Sequence, residues 1–175
     1  ANTGDRPGHW LDCGVMLRGE AVRALTAMFL SVWDYCAGVQ ESFPPFAPDP
    51  AFTKGMPDDG YVQPFTDTPL DNEAAGETVY LNVLNRAREY VYINTPYLII
   101  DNEMLTALTA AAKCGVDVRL VTPAVSDGKI VQEMTRSYYE PLVEAGVKVY
   151  EYAPGMVHAK TFVSDDRVGV VGTIN

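Results

Sequence analysis

Cysteine and histidine are scarce in this chain of 175 residues. The three cysteines, Cys13, Cys36 and Cys114, are an odd number with neither C-x-x-C nor zinc-ligand spacing. That pattern argues against a disulfide scaffold and a structural zinc site, and reads as reduced, mostly buried thiols. With only His9 and His158 available, no metal-ligand cluster forms in the sequence, and no metal or cofactor is expected. There is no apolar run of the ~18 residues that a membrane span requires, so this segment is expected to be soluble. No signal-peptide pattern is visible, and Ala1 in place of Met fits an excised segment. Basic residues are also few, 13 against 23 acidic ones, for a net charge of −10. This balance disfavours broad binding to nucleic acid or to anionic membranes, both of which rely on Lys and Arg.

What is present is apolar periodicity. Trp10 to Leu17 reads as a short strand closed by Gly19. Ala21, Val22, Leu25, Met28, Phe29, Val32 and Trp33 then recur at helical spacing, which predicts an amphipathic helix over about 20–36 with its stripe packed in a core. From 37 to 72 the pattern dissolves among Pro44, Pro45, Pro48, Pro50, Pro57, Pro64 and Pro69, with a turn at Asp58-Asp59-Gly60. This stretch reads as a linker holding at most one short strand, Tyr61 to Phe65.

After residue 73 helices and strands alternate. Helices are expected at about 73–89, 102–113 and 128–145, with Asp101 and Gly115 capping the second. Pro141 should kink or split the third. Strands are expected at Tyr90 to Asn94, Val116 to Val121, Val147 to Tyr152, Val157 to Val163 and Val168 to Val171, the last two joined across Asp165-Asp166. Such alternation implies an α/β fold, a mostly parallel sheet flanked by helices, ending in a hairpin. Units at 1–36 and 73–175 are expected on either side of the linker.

The last eighteen residues carry the chemistry. His158, Lys160, Asp165, Gly172, Thr173 and Asn175 stand at H-x-K-x4-D-x6-G-T-x-N spacing. On one strand, His158 and Lys160 would share a face about 7 Å apart, setting a nucleophile-capable imidazole beside a fixed cation. Gly172 would bring backbone close, and Thr173 and Asn175 would offer neutral donors. Phosphoryl transfer needs a nucleophile, a proton donor and donors aimed at the equatorial oxygens. Lys160, Thr173 and Asn175 are the candidate phosphate-binding residues, and His158, Lys160 and Asp165 the candidate catalytic set. The turn position of Asp165 suits a capping or pairing role as well.

This spacing resembles the signature of the phospholipase D superfamily, with Thr173 where that family usually has Ser. Four further segments resemble bacterial cardiolipin synthase: Tyr92 to Leu98, Cys114 to Pro123, Arg136 to Tyr139 and Ala145 to Tyr152. Residues 10–33, with Trp10, Asp12, Arg18 and Trp33, resemble the stretch that follows the family's first motif, and Ala1 to Asp5 the tail of that motif.

The resemblance implies that 1–36 is the tail of a preceding half, and 73–175 a second phospholipase D-like half-domain truncated at its C-terminus. It implies a phosphohistidine formed at one motif histidine while the partner motif's histidine protonates the leaving alcohol. The second motif would come from a missing half of a longer chain or from a second copy. The longer protein would join two phosphatidylglycerol molecules into cardiolipin at the bacterial inner membrane, and the isolated segment would be nearly inactive. Phospholipase or other phosphodiesterase activity, or a non-catalytic structural half, are the alternatives. The Thr95-Pro96-Tyr97 and Arg136 to Tyr139 segments would border the lipid site or simply end strands and pack helices.

Overall fold

A computed structural model describes residues 9–47, 49, 51, 54–55, 60–68 and 72–174. The chain divides into one unit of residues 1–14 and 76–175 and another of residues 15–75. The division thus differs from the expected boundary near residue 36, because the N-terminal strand pairs with the C-terminal part of the chain.

The smaller unit holds α1 (Ala21–Ala37) and a short 3-10 turn at Pro44–Phe46. Gly38 ends α1 at φ 65°, a left-handed cap that glycine adopts at little cost. Arg23 lies over the Phe43 ring at 5.6 Å. The apolar stripe is not packed as expected: Leu30 is the one buried residue of α1, while Phe29 and Trp33 are 63% and 50% exposed and stack on each other. No strand forms at Tyr61 to Phe65. Pro48, Pro50, Pro57, Pro69 and the Asp58-Asp59 pair lie outside the described residues.

The larger unit begins with β1 (His9–Leu11), shorter than the expected strand to Leu17. Then come α2 (Ala75–Arg86), β2 (Tyr90–Asn94), α3 (Asn102–Lys113), β3 (Asp117–Pro123), α4 (Lys129–Ser137) and α5 (Tyr139–Glu144). Strands β4 (Lys148–Tyr152), β5 (Gly155–Val157), β6 (Lys160–Ser164) and β7 (Val168–Gly172) complete it. The helix expected over 128–145 is split at Tyr138, as the ring of Pro141 and its missing N–H require. Asp101 caps α3 by accepting the Met104 N–H at 2.8 Å. The three cysteines are exposed rather than buried, Cys36 in the last turn of the largely open α1 and Cys114 at the C-cap of α3.

The main sheet has the order β4-β3-β2-β6-β7, and β1 pairs with β5 in a separate parallel ribbon. β2, β3 and β4 are mutually parallel; β6 runs against both β2 and β7. Only β6 is therefore reversed in the five-stranded sheet. Period-two alternation sends Val91, Ile93, Val118, Leu120 and Phe162 into one core with Tyr80 and Leu84 of α2, Leu108 of α3 and Leu142 of α5. Tyr80 and Phe162 stack with centroids 4.1 Å apart. Full burial of each such side chain stabilises the fold by roughly 1.5–3 kcal/mol. The residues between them in register, Tyr92, Arg119, Lys148 and Val163, lie on the other, more exposed face. The C-terminal ends of β2, β3 and β4 and the start of β6 gather at one end of the sheet, where open α/β sheets bind ligands.

Candidate active site

The strand expected over Val157 to Val163 is broken. β5 ends at Val157, β6 starts at Lys160, and His158-Ala159 forms the step between them. The Leu11 carbonyl imposes this break by accepting both the His158 N–H at 2.9 Å and the Ala159 N–H at 3.2 Å. His158 and Lys160 are therefore not neighbours on one face of one strand. They meet by a different route: the Lys160 ammonium donates to the His158 carbonyl at 2.8 Å. Lys160 is 7% exposed, and burial pushes its pKa down while the nearby Asp12 carboxylate acts in the opposite sense.

β1 brings a residue to which the motif assigns no role. Asp12 Oδ1 lies 2.8 Å from His158 Nδ1, and the Trp10 ring packs at 5.0 Å from the imidazole. A carboxylate at Nδ1 holds the proton there and leaves Nε2 as the nitrogen facing chemistry. β1 can approach only because residue 155 is glycine: a Cβ there would stand 2.1 Å from the His9 carbonyl oxygen. Trp10 and Asp12 were legible as residues resembling the family, but nothing local in the sequence pairs Asp12 with a histidine 146 positions away.

Register places Gly172 opposite Lys160, so Thr173 leaves β7 at the same end of the sheet. A Cβ at Gly172 would meet no atom within 4 Å, so no part of the described chain presses on the glycine there. Asn175 lies outside the described residues. Asp165 is not brought to His158. It sits past the far end of β6, about 16 Å along the strand from Lys160 at the usual rise. Asp165 and Asp166 both adopt φ 53°, the left-handed pair of a tight hairpin. The Asp165 carboxylate accepts the N–H groups of Arg88, Glu89 and Tyr90 at 2.8, 3.0 and 2.9 Å. These backbone bonds, that of Tyr90 foremost, hold its pKa below the usual value. Among the described residues no three or more His, Cys, Asp or Glu side chains gather as a metal site.

The candidate site is thus an imidazole held by a carboxylate, beside a buried ammonium, at the end of the sheet where the parallel strands β2, β3 and β4 finish. Residues 80–175 match the family model of the cardiolipin synthase, phospholipase D-like domain. The chain is 47% identical over 174 residues to an uncharacterized protein of Streptococcus mutans, covering 98% of this chain and 36% of that protein. It is 38% identical over 168 residues to a cardiolipin synthase of Halalkalibacterium halodurans, covering 96% of this chain and 33% of that protein. Nuc of Salmonella typhimurium, a phospholipase D family member of known structure, aligns over 57% of this chain and 63% of its own, with TM-score 0.49 and 20% identity. The chain belongs to the phospholipase D-like domain family of cardiolipin synthase. It spans about a third of the length of the curated relatives it matches.

Proposed function

We propose that this chain supplies one of the two motifs of a phosphatidyl transferase that makes cardiolipin from two phosphatidylglycerol molecules at the bacterial inner membrane. The observation that carries the reading is the Asp12–His158–Lys160 arrangement, with His158 and Lys160 inside the residues that match the cardiolipin synthase domain. The second motif would come from the rest of a longer chain or from a second copy.

His158 Nε2 is the working nitrogen in either of two roles. As the neutral base it attacks phosphorus, forming an N–P bond as the P–O bond to glycerol breaks, while the partner histidine protonates the glycerol oxygen. As the acid it donates that proton instead. In the second step the acceptor hydroxyl oxygen bonds to phosphorus, the N–P bond breaks, and the acceptor proton passes to the histidine that lost one. Asp12 holds the ring through Nδ1, and Lys160 and Thr173, with Asn175, offer donors to the phosphoryl oxygens. Asp165 acts through folding, as the clasp between the β6–β7 turn and the start of β2. No helix among the described residues is long and apolar enough to cross a membrane.

The test is the product profile of the protein carrying both motifs, supplied with labelled phosphatidylglycerol. Cardiolipin plus glycerol, abolished by His158→Ala, supports the reading. Phosphatidic acid alone would make the protein a phospholipase, and activity unchanged by His158→Ala would make this half structural.

A further inference from the structure

The loops that leave β2 and β3, at the end of the sheet where β6 starts, hold a second polar pair. Asn94 of β2 pairs in register with Thr161, so Thr95 emerges next to Lys160. The loop is pinned: the Thr95 N–H donates to the Val121 carbonyl at 3.1 Å, its hydroxyl to the Tyr97 carbonyl at 2.9 Å, and the Leu98 N–H to the Thr135 hydroxyl at 3.1 Å. Thr95, Pro96 and Leu98 are buried, and Tyr97 is the half-exposed member of this stretch. Its hydroxyl donates to both carboxylate oxygens of Asp127, at 3.1 and 3.0 Å, on the loop between β3 and α4. Ser126 adds a hydroxyl bond to the same carboxylate at 3.2 Å. No Lys, Arg or His among the described residues forms an ion pair with Asp127.

We propose that Tyr97 and Asp127 form the hydroxyl-recognising wall of this site, which holds the glycerol headgroup of the acceptor lipid and favours transfer to it over water. The inference rests on the phosphatidyl-transfer reading above. A carboxylate held by neutral hydroxyls has lone pairs to spare. It repels a phosphate and accepts from an alcohol. The cation at Lys160 has the opposite preference. The two ends of the site thereby sort the two chemical parts of a glycerol phosphodiester, the anion toward Lys160 and the free hydroxyls toward Asp127. A site built to accept a bond from a substrate hydroxyl rejects the analogue that lacks it, since its own polar groups are then left unpaired.

The test uses the protein carrying both motifs, with phosphatidylglycerol as donor and 1,2-propanediol or 1-propanol as soluble acceptor. The wild type is expected to prefer the diol by about tenfold or more. Asp127→Asn and Tyr97→Phe should bring the two acceptors toward parity, raise KM for the diol more than they change kcat, and increase the share of phosphatidic acid. Tyr97→Phe removes a single oxygen and guards against misfolding of the loop. An undiminished diol preference in both variants, or an effect on kcat alone, would overturn the inference while leaving the transferase reading intact. A wild type that transfers to no alcohol would overturn that reading, and the wall with it.

Discussion

At the start of β6 a buried ammonium and a half-exposed imidazole lie beside a strand brought from the far N-terminus; at its other end Asp165 binds three backbone amides. Both ends carry residues of one short motif. The first end is chemically open: Nε2 of His158 has no described partner, and Lys160 donates one described bond of the three its ammonium can make. The second end is satisfied, with a carboxylate whose bonds go to its own chain. A motif is thus a record of several constraints, and geometry separates the polar groups left open from the carboxylate whose bonds are made within the chain.

The sharpest break of this comparison is His158→Ala in the protein carrying both motifs. Losing the nucleophile or the acid should lower turnover by at least about 10⁴-fold, read from labelled phosphatidylglycerol. Asp12→Asn should follow, with a loss of about 100-fold, because the imidazole keeps its place but loses the anionic acceptor that fixes its Nδ1 proton. An unchanged rate would remove Asp12 from the site. Gly155→Ala comes next. It forces β1 away from β5, costs about 1–3 kcal/mol by overpacking, and should depress activity by releasing Asp12. Denaturant midpoints and activity measured on one preparation would separate the two effects.

Asp165→Ala should give the smallest change in turnover and a distinct change in stability. Its carboxylate has a lowered pKa in the folded chain, so the stability it contributes is present above its unfolded pKa and lost as pH falls through the folded one. The variant should melt a few degrees lower at neutral pH, with the gap closing as the medium turns acid through the carboxylate range. A gap that stays constant, or a turnover loss like that of His158→Ala, would place Asp165 with the chemistry instead.

Much of the larger unit was legible because its signals are local. Alternation marked β2, β3 and β4, Asp101 and Gly115 bounded α3, and Pro141 announced the split between α4 and α5. The smaller unit was less legible. The periodicity of α1 correctly implies a helix, but periodicity describes a face and not what covers it, and Phe29 and Trp33 stand exposed. Within the site, spacing alone singled out His158 and Lys160 but implied a continuous strand. The break at His158-Ala159 depends on the Leu11 carbonyl, which no local pattern reveals.

By itself the sequence determined the α/β character of the larger unit, the hairpin at Asp165-Asp166 and the residue types of the candidate site. These follow from backbone preferences and side-chain chemistry that act over a few residues. Only the tertiary structure decided that Asp12 meets His158, that Asp165 binds the backbone at the start of β2, and that Tyr97 meets Asp127. Each joins segments distant along the chain, and such pairings are set by sheet register and core packing, where free energy depends on the whole fold and not on any short stretch of it.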